Sequence, residues 1–355
     1  MMSKHIKRRT KTAGRSSGRL FSRRNALEGG LALGAGLTAA SFGIIGRASA
    51  APVTLRFGSD SPLAAPHTKS ALVMKELVES RTSGRVQVAI FPDGQLGGNG
   101  PMANSVKTGS LDAVVVDVGH LSVAVPEADV FNLPFLYKGT EQVLRFANSP
   151  VGERMKPKIN EAFNCEVLGW ASDGSANLFN GKHPIATPAD FAGLKMGAGS
   201  SKILRNAVLA LGGIPTVLEI TAMYTSLQTG LIDGAQMNVT DMIGLKLYQV
   251  TKYLTITNHY SMPTMLIVSR KFLDKLSPED QAIVREAGRP AVDAQVEGIL
   301  KSEKTGLAFL QEKGIQIFPI ENRKAFSDKM ETVYKDAADR IGADLVEQAR
   351  KFAAT

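Results

Sequence analysis

Thiol chemistry is nearly absent from this chain: Cys165 is its one cysteine, which rules out an internal disulfide and a thiolate metal cluster. Apolar neighbours point Cys165 to a buried strand and away from reactivity. Histidine is scarce, and the five present, at positions 5, 67, 120, 183 and 259, are too scattered to suggest a metal site. There is no His-Glu-x-x-His, no Cys-x-x-Cys and no Walker loop. One Gly-x-Ser-x-Gly occurs, at residues 14–18, in an N-terminal leader where it cannot be a nucleophile elbow. No cofactor is implied by any of these patterns. Beyond residue 50, no run is long and apolar enough to span a bilayer.

Excess charge is missing from the body of the chain as well. The formal net charge of +9 comes from 42 Lys and Arg against 33 Asp and Glu, but residues 1–50 hold ten of the bases and one acid, Glu28. Taking those away leaves 32 of each over residues 51–355. A neutral body has no electrostatic footprint for a polyanion, so nucleic acid is dropped as a partner. The basic leader reads as an export signal. Ser22-Arg23-Arg24-Asn25-Ala26-Leu27 is a twin-arginine motif, a Gly/Ala/Leu-rich segment follows over 29–45, and Ala48-Ser49-Ala50 supplies a small-residue cleavage point after Ala50. The expected location is the periplasm.

What is present, twice, is one phrase. Thr108-Gly109-Ser110-Leu111-Asp112-Ala113 returns 121 residues later as Thr229-Gly230-Leu231-Ile232-Asp233-Gly234. Each copy follows an amphipathic stretch and precedes a strand-like run. Glycine suits the left-handed residue that ends a helix, so the phrase reads as a helix-to-strand junction used in two similar α/β lobes. Around it, residues 53–57, 86–90, 114–118, 167–171, 177–179, 253–257 and 264–268 read as strands. Residues 278–313 read as helical, with Gly288, Pro290, Gly298 and Gly306 arguing against one straight helix. One enzyme-like pattern survives: Gly197-Ala198-Gly199 follows a strand, and Glu219 lies where a dinucleotide fold carries its ribose acid. Lys202 stands where the third glycine belongs. The alternative it supports is an exported nucleotide-cofactor oxidoreductase.

Seven phrases together resemble a known family. They include Gly94-Gln95-Leu96-Gly97-Gly98, Leu133-Pro134-Phe135-Leu136, Gly193-Leu194-Lys195-Met196 and Leu211-Gly212-Gly213-Ile214-Pro215-Thr216. With both copies of the repeat they run in order over nearly all of residues 51–300 and resemble the substrate-binding subunits of TRAP (tripartite ATP-independent periplasmic) transporters. The resemblance implies an α/β, two-lobed periplasmic binding protein-like fold, with a ligand cleft between lobes and a long helix linking them. The expected lobes are 51–173 plus 264–300 and 174–263 plus 301–355. It implies a receptor, not an enzyme, which closes on a small-molecule solute and hands it to the membrane permease subunits of a TRAP transporter.

The site departs from the family pattern. Members that bind organic acids usually carry an arginine directly after the Gly-Leu-Lys-hydrophobic strand, where its planar fork pairs with a carboxylate. Here that position is Gly197. A second common arginine aligns with Asn177 or Ala176, while the asparagine after the second repeat is kept as Asn238. The remaining matching positions are acidic or neutral: Asp60, Asn99, Asp117 and Glu219. Trp170 and Tyr224 complete the candidate ligand-binding set. Carboxylates in a closed cleft need a cation or several donors, so an amine, an amino alcohol or a polyol is expected ahead of a dicarboxylate. Arg205, Lys182, Lys202 or His67 could instead supply charge for an ordinary organic acid.

Overall fold

A computed structural model describes residues 51–355. The twin-arginine motif and the cleavage point after Ala50 lie outside the described residues. Nine strands form one mixed sheet: β1 Val53–Gly58, β2 Val86–Phe91, β3 Ala113–Asp117, β4 Cys165–Asn180, β5 Lys195–Ala198, β6 Ile214–Val217, β7 Gly234–Met237, β8 Tyr253–Ser269 and β9 Gln316–Pro319. Their order is β2-β1-β3-β8-β4-β7-β5-β6, with β9 added to β8.

Two strands unite the sheet. Residues 165–172 of β4 pair with 263–269 of β8, beside β3, β1 and β2. Residues 177–180 of β4 then pair with β7, while 253–255 of β8 take β4 on one side and β9 on the other. The sheet therefore has two wings sharing the same pair of crossing strands. The sequence reading had four short strands here. The polar stretch around Gly174 looked like a break, yet it is a register shift between Ser172 and Ser175 inside one continuous strand.

The repeated phrase occupies equivalent places in the two wings. Gly109 (φ 79°) ends the helix Asn99–Thr108 before β3, and Gly230 (φ 73°) follows the helix Met223–Gln228 before β7. Its aspartate does the same work in each. Asp112 Oδ2 accepts the backbone N–H of Arg56 on β1 at 2.8 Å, and Asp233 Oδ2 accepts that of Lys195 on β5 at 2.9 Å. Each carboxylate thus ties the junction to the neighbouring parallel strand.

The long helix is continuous over Pro278–Glu312. Its glycines mark close approaches and do not break it. A Cβ at Gly288 would collide with Leu168, one at Gly298 with Lys69, and one at Gly306 with Val239. Pro290 is tolerated on the exposed side. This helix packs on β4 and on the helix Lys69–Arg81, burying Val284, Ala287, Ala291 and Val292 with Leu55, Met74 and Val78 of the first wing. Its far end places Leu310 in the core of the second wing with Phe179, Met237 and Leu254. A third core joins Phe131, Phe146 and Trp170 to Ile203 and Ala207, and the C-terminal helices Glu331–Ile341 and Ala343–Ala353 cover it.

Candidate functional site

A cleft of about 910 Å³, open solvent at its mouth included, lies where the strands end. Its walls come from the C-terminal ends of β1 and β3 in one wing and of β5 and β7 in the other, as expected of ligand sites in parallel sheets. Asp173 and Tyr260 project from the crossing strands, and Gln295 reaches in from the long helix.

Four carboxylates face this space. Asp60 follows β1 and takes a hydrogen bond from the Asn99 amide; Asn99 Oδ1 also accepts the Asp117 N–H at 2.9 Å. Asp117 ends β3 and accepts from Gly119 N at 2.7 Å, capping the short helix that follows. Asp173 accepts from Gln295 Nε2 at 2.8 Å. Asp241 sits in the first turn of the helix Val239–Gly244, held by Asn238 Nδ2 at 2.7 Å. His67 stands among them, Nε2 lying 3.1 Å from Asp241 Oδ1 and 3.6 Å from Asp173 Oδ1. His120 is the second histidine, with Ser200 Oγ at 3.1 Å and Glu219 Oε1 at 3.7 Å from Nδ1.

The electrostatics follow from burial. Loss of water, then the charge of Asp241, pushes Asp60 up to about 6. Burial brings Asp117 to about 7, against the pull of His120. Asp173 and Asp241 are also raised, chiefly by burial, with His67 opposing the rise in both. Burial disfavours a charge on His67, but Asp241, Asp173 and Asp60 together outweigh it and raise its pKa. No lysine or arginine lines the cleft among the described residues. Lys182 pairs with Asp233 at 3.4 Å, Lys202 with Asp336 at 3.5 Å, and Arg205 donates to the Ser200 carbonyl. Among the described residues no group of three or more His, Cys, Asp or Glu has the placement to hold a metal ion.

Of the residues expected at the site, Asp60, Asn99, Asp117 and Gly197 line the cleft. At Gly197, where an arginine would be looked for, a side chain would start 3.0 Å from Ile232 and 3.1 Å from Met223. Apolar neighbours fill the space beside it. Glu219 packs over Gly98 and Gly100, with its carboxylate 3.7 Å from His120 Nδ1. Asn177 is buried behind the wall, accepting Thr257 N and Asn258 N at 2.9 and 3.0 Å. Asn238 caps the helix that carries Asp241. Trp170 is packed 4.6 Å from the Phe131 ring, and Tyr224 reaches Gln249 on the outside of the second wing. Asp173, Asp241, Gln236, Gln295 and Tyr260 were not anticipated. Asp173 lay between the strands read at 167–171 and 177–179, and the Asn238-to-Asp241 spacing carries only a capping signal.

Cleft, crossing strands and linking helix define the chain as a two-lobed solute-binding receptor. Residues 57–340 match the family model described as bacterial extracellular solute-binding protein, family 7, and the chain belongs to that family. It is 28% identical over 316 residues to the C4-dicarboxylate-binding periplasmic protein DctP of Rhodobacter capsulatus, spanning 88% of this chain and 94% of that one. It is 26% identical over 297 residues to the sialic acid-binding periplasmic protein SiaP of Vibrio cholerae, spanning 83% and 92%. A TRAP periplasmic solute-binding protein of a Polaromonas species, bound to D-erythronate, superposes with a TM-score of 0.81 at 28% identity, covering 84% of this chain and 98% of that one. One from Sulfurospirillum deleyianum with bound succinate gives 0.81 at 26% identity, covering 84% and 98%.

The protein is therefore a periplasmic TRAP solute receptor and not an enzyme. The family implies a small-molecule ligand and membrane permease partners. The oxidoreductase alternative finds no support among the relatives. Among the described residues no helix is long and apolar enough to cross a membrane.

Proposed function

We propose that this receptor captures a small solute bearing an ammonium group and presents it to a TRAP-type permease. The observation that carries the reading is the charge of the cleft: Asp60, Asp117, Asp173 and Asp241 converge with two histidines and without lysine or arginine among the lining residues. Buried carboxylates without a full counter-charge are costly, and a cation relieves that cost where an organic acid would add to it. The solute thus differs in charge from the organic acids held by the solved relatives.

In this reading residues 51–173 plus 264–300 and 174–263 plus 301–355 are the two lobes, and they close about the crossing strands. Solute touching both lobes shifts that equilibrium toward the closed form. Export follows the twin-arginine route with cleavage after Ala50, and the N-terminal sequence of the exported protein tests it. For the solute, the melting temperature of the mature protein is measured against amines, amino alcohols, polyols and organic acids. Amines and amino alcohols should raise it. Stabilisation by carboxylates alone would remove the proposal.

A further inference from the structure

The acid cluster deals with one end of a solute, and two amides in the same cleft are left over. Gln236 on β7 is 9% exposed, and its Oε1 lies 2.7 Å from His259 Nε2. On the other side of that ring, Nδ1 lies 2.7 Å from the Thr257 hydroxyl. Burial, with the Arg323 charge behind it, drives His259 down to about 3, so the imidazole carries a single proton. With the Thr257 hydroxyl donating to Nδ1, that proton sits on Nε2 and is donated to Gln236 Oε1. The Gln236 amide is thereby oriented, and its Nε2 is buried with no partner among the described residues.

Gln295 complements it. The side chain is fully buried, Nε2 donates to Asp173, and Oε1 is left without a partner among the described residues. Both residues line the cleft, so one donor and one acceptor remain for whatever enters. Buried amide atoms are nearly always paired in folded proteins. The same cleft has an apolar part of its lining, from Phe57, Met223, Met237 and Met262, that suits a short hydrocarbon body.

We infer that Gln236 and Gln295 read a neutral oxygen on the solute, so that the ligand class is an amino alcohol and not a plain alkylamine. The Gln236 amide donates to the solute hydroxyl oxygen, and Gln295 Oε1 accepts an N–H or O–H from the same molecule. This rests on the amine reading of the cleft. The carboxylates select charge, and the two amides select among cations.

The test compares ω-amino alcohols of two to four carbons with alkylamines of equal non-hydrogen atom count, by calorimetry on the mature protein. At least one amino alcohol should bind about tenfold more tightly than its matched alkylamine, the effect of one buried hydrogen bond. Gln236→Leu and Gln236→Met should each bring that ratio close to one, since neither side chain can donate to the solute oxygen. Equal affinities across every matched pair in the native protein would overturn the inference and leave the amine reading standing. A ratio unmoved by either substitution would remove Gln236 from the role. Failure of all amines and amino alcohols to bind would overturn both.

Discussion

His67 Nε2 stands 3.1 Å from Asp241 Oδ1, across the cleft from the turn after β1 to the helix after β7. Neither ring nitrogen of His67 makes a well-aligned hydrogen bond among the described residues, so the contact is one of charge more than of direction. The histidine acts as a built-in counter-ion for Asp241, Asp173 and Asp60. A solute ammonium would take over that role.

Removing the counter-ion should destabilise the solute-free protein without weakening amine binding. His67→Gln is expected to cost about 1–3 kcal/mol at pH 6, where the histidine is charged, the range for stranding a buried polar partner. Chemical denaturation measures the loss and calorimetry the affinity. A collapse in affinity would instead make His67 a direct solute contact.

The pH profile has a determined sign. Asp60 near 6 and Asp117 near 7 lie above the ordinary value near 4, so the folded state holds more protons than the unfolded one between about pH 4 and 7. Solute-free stability should fall as pH rises through that window. His67, also raised, adds in the same direction: its contribution is complete below about 6.5 and lost as pH passes its folded value. Amine binding needs ionised carboxylates, so the melting increment given by an amine should grow from pH 5 to 8. A flat or shrinking increment would count against the acid cluster.

Asp117→Asn separates a binding acid from a structural one. Asparagine can still cap the helix through Gly119 N, so the fold should persist and the solute-free protein should melt higher at pH 8. Amine affinity should drop by about 1.5–3 kcal/mol, as for a hydrogen bond to a charged group. Unchanged affinity would exclude Asp117 from the contact set.

Asp129 carries a different load. It is fully buried, pairs with Arg340 of a C-terminal helix at 2.5 Å and accepts from Ser201 Oγ at 2.6 Å. Asp129→Ala leaves Arg340 and Ser201 without their acceptor and should cost about 3–5 kcal/mol. The check is a denaturant midpoint, and a loss under about 1 kcal/mol would show that water replaces the carboxylate.

Trp170, the one tryptophan, is 4% exposed and packed on Phe131 outside the cleft lining. Its emission should be that of a buried indole and should keep its wavelength when solute binds. A shift of several nanometres would mean that closure repacks the third core.

Much of the fold was legible because it is local. The Thr-Gly-x-x-Asp phrase specifies a left-handed helix end and a carboxylate directly before a strand, whatever surrounds it. Where reading failed, the failure was non-local. The Ser172-to-Ser175 stretch looks like a turn until β8 supplies hydrogen bonds on both sides of it. The glycines of the long helix look like breakers until Leu168, Lys69 and Val239 are seen against them.

The site divides in the same way. Sequence alone determined the family, the two-wing plan and the absence of the arginine clamp at Gly197, since these depend on residue identity along the chain. Only tertiary structure decided that Asp60, Asp117, Asp173 and Asp241 share one space with His67, and that Gln236 and Gln295 border it. Those groups come from both wings, a crossing strand and the long helix, and their protonation is set by lost water and mutual charge. Distance in space, which no spacing in the chain encodes, turns separate acids into one buried cluster.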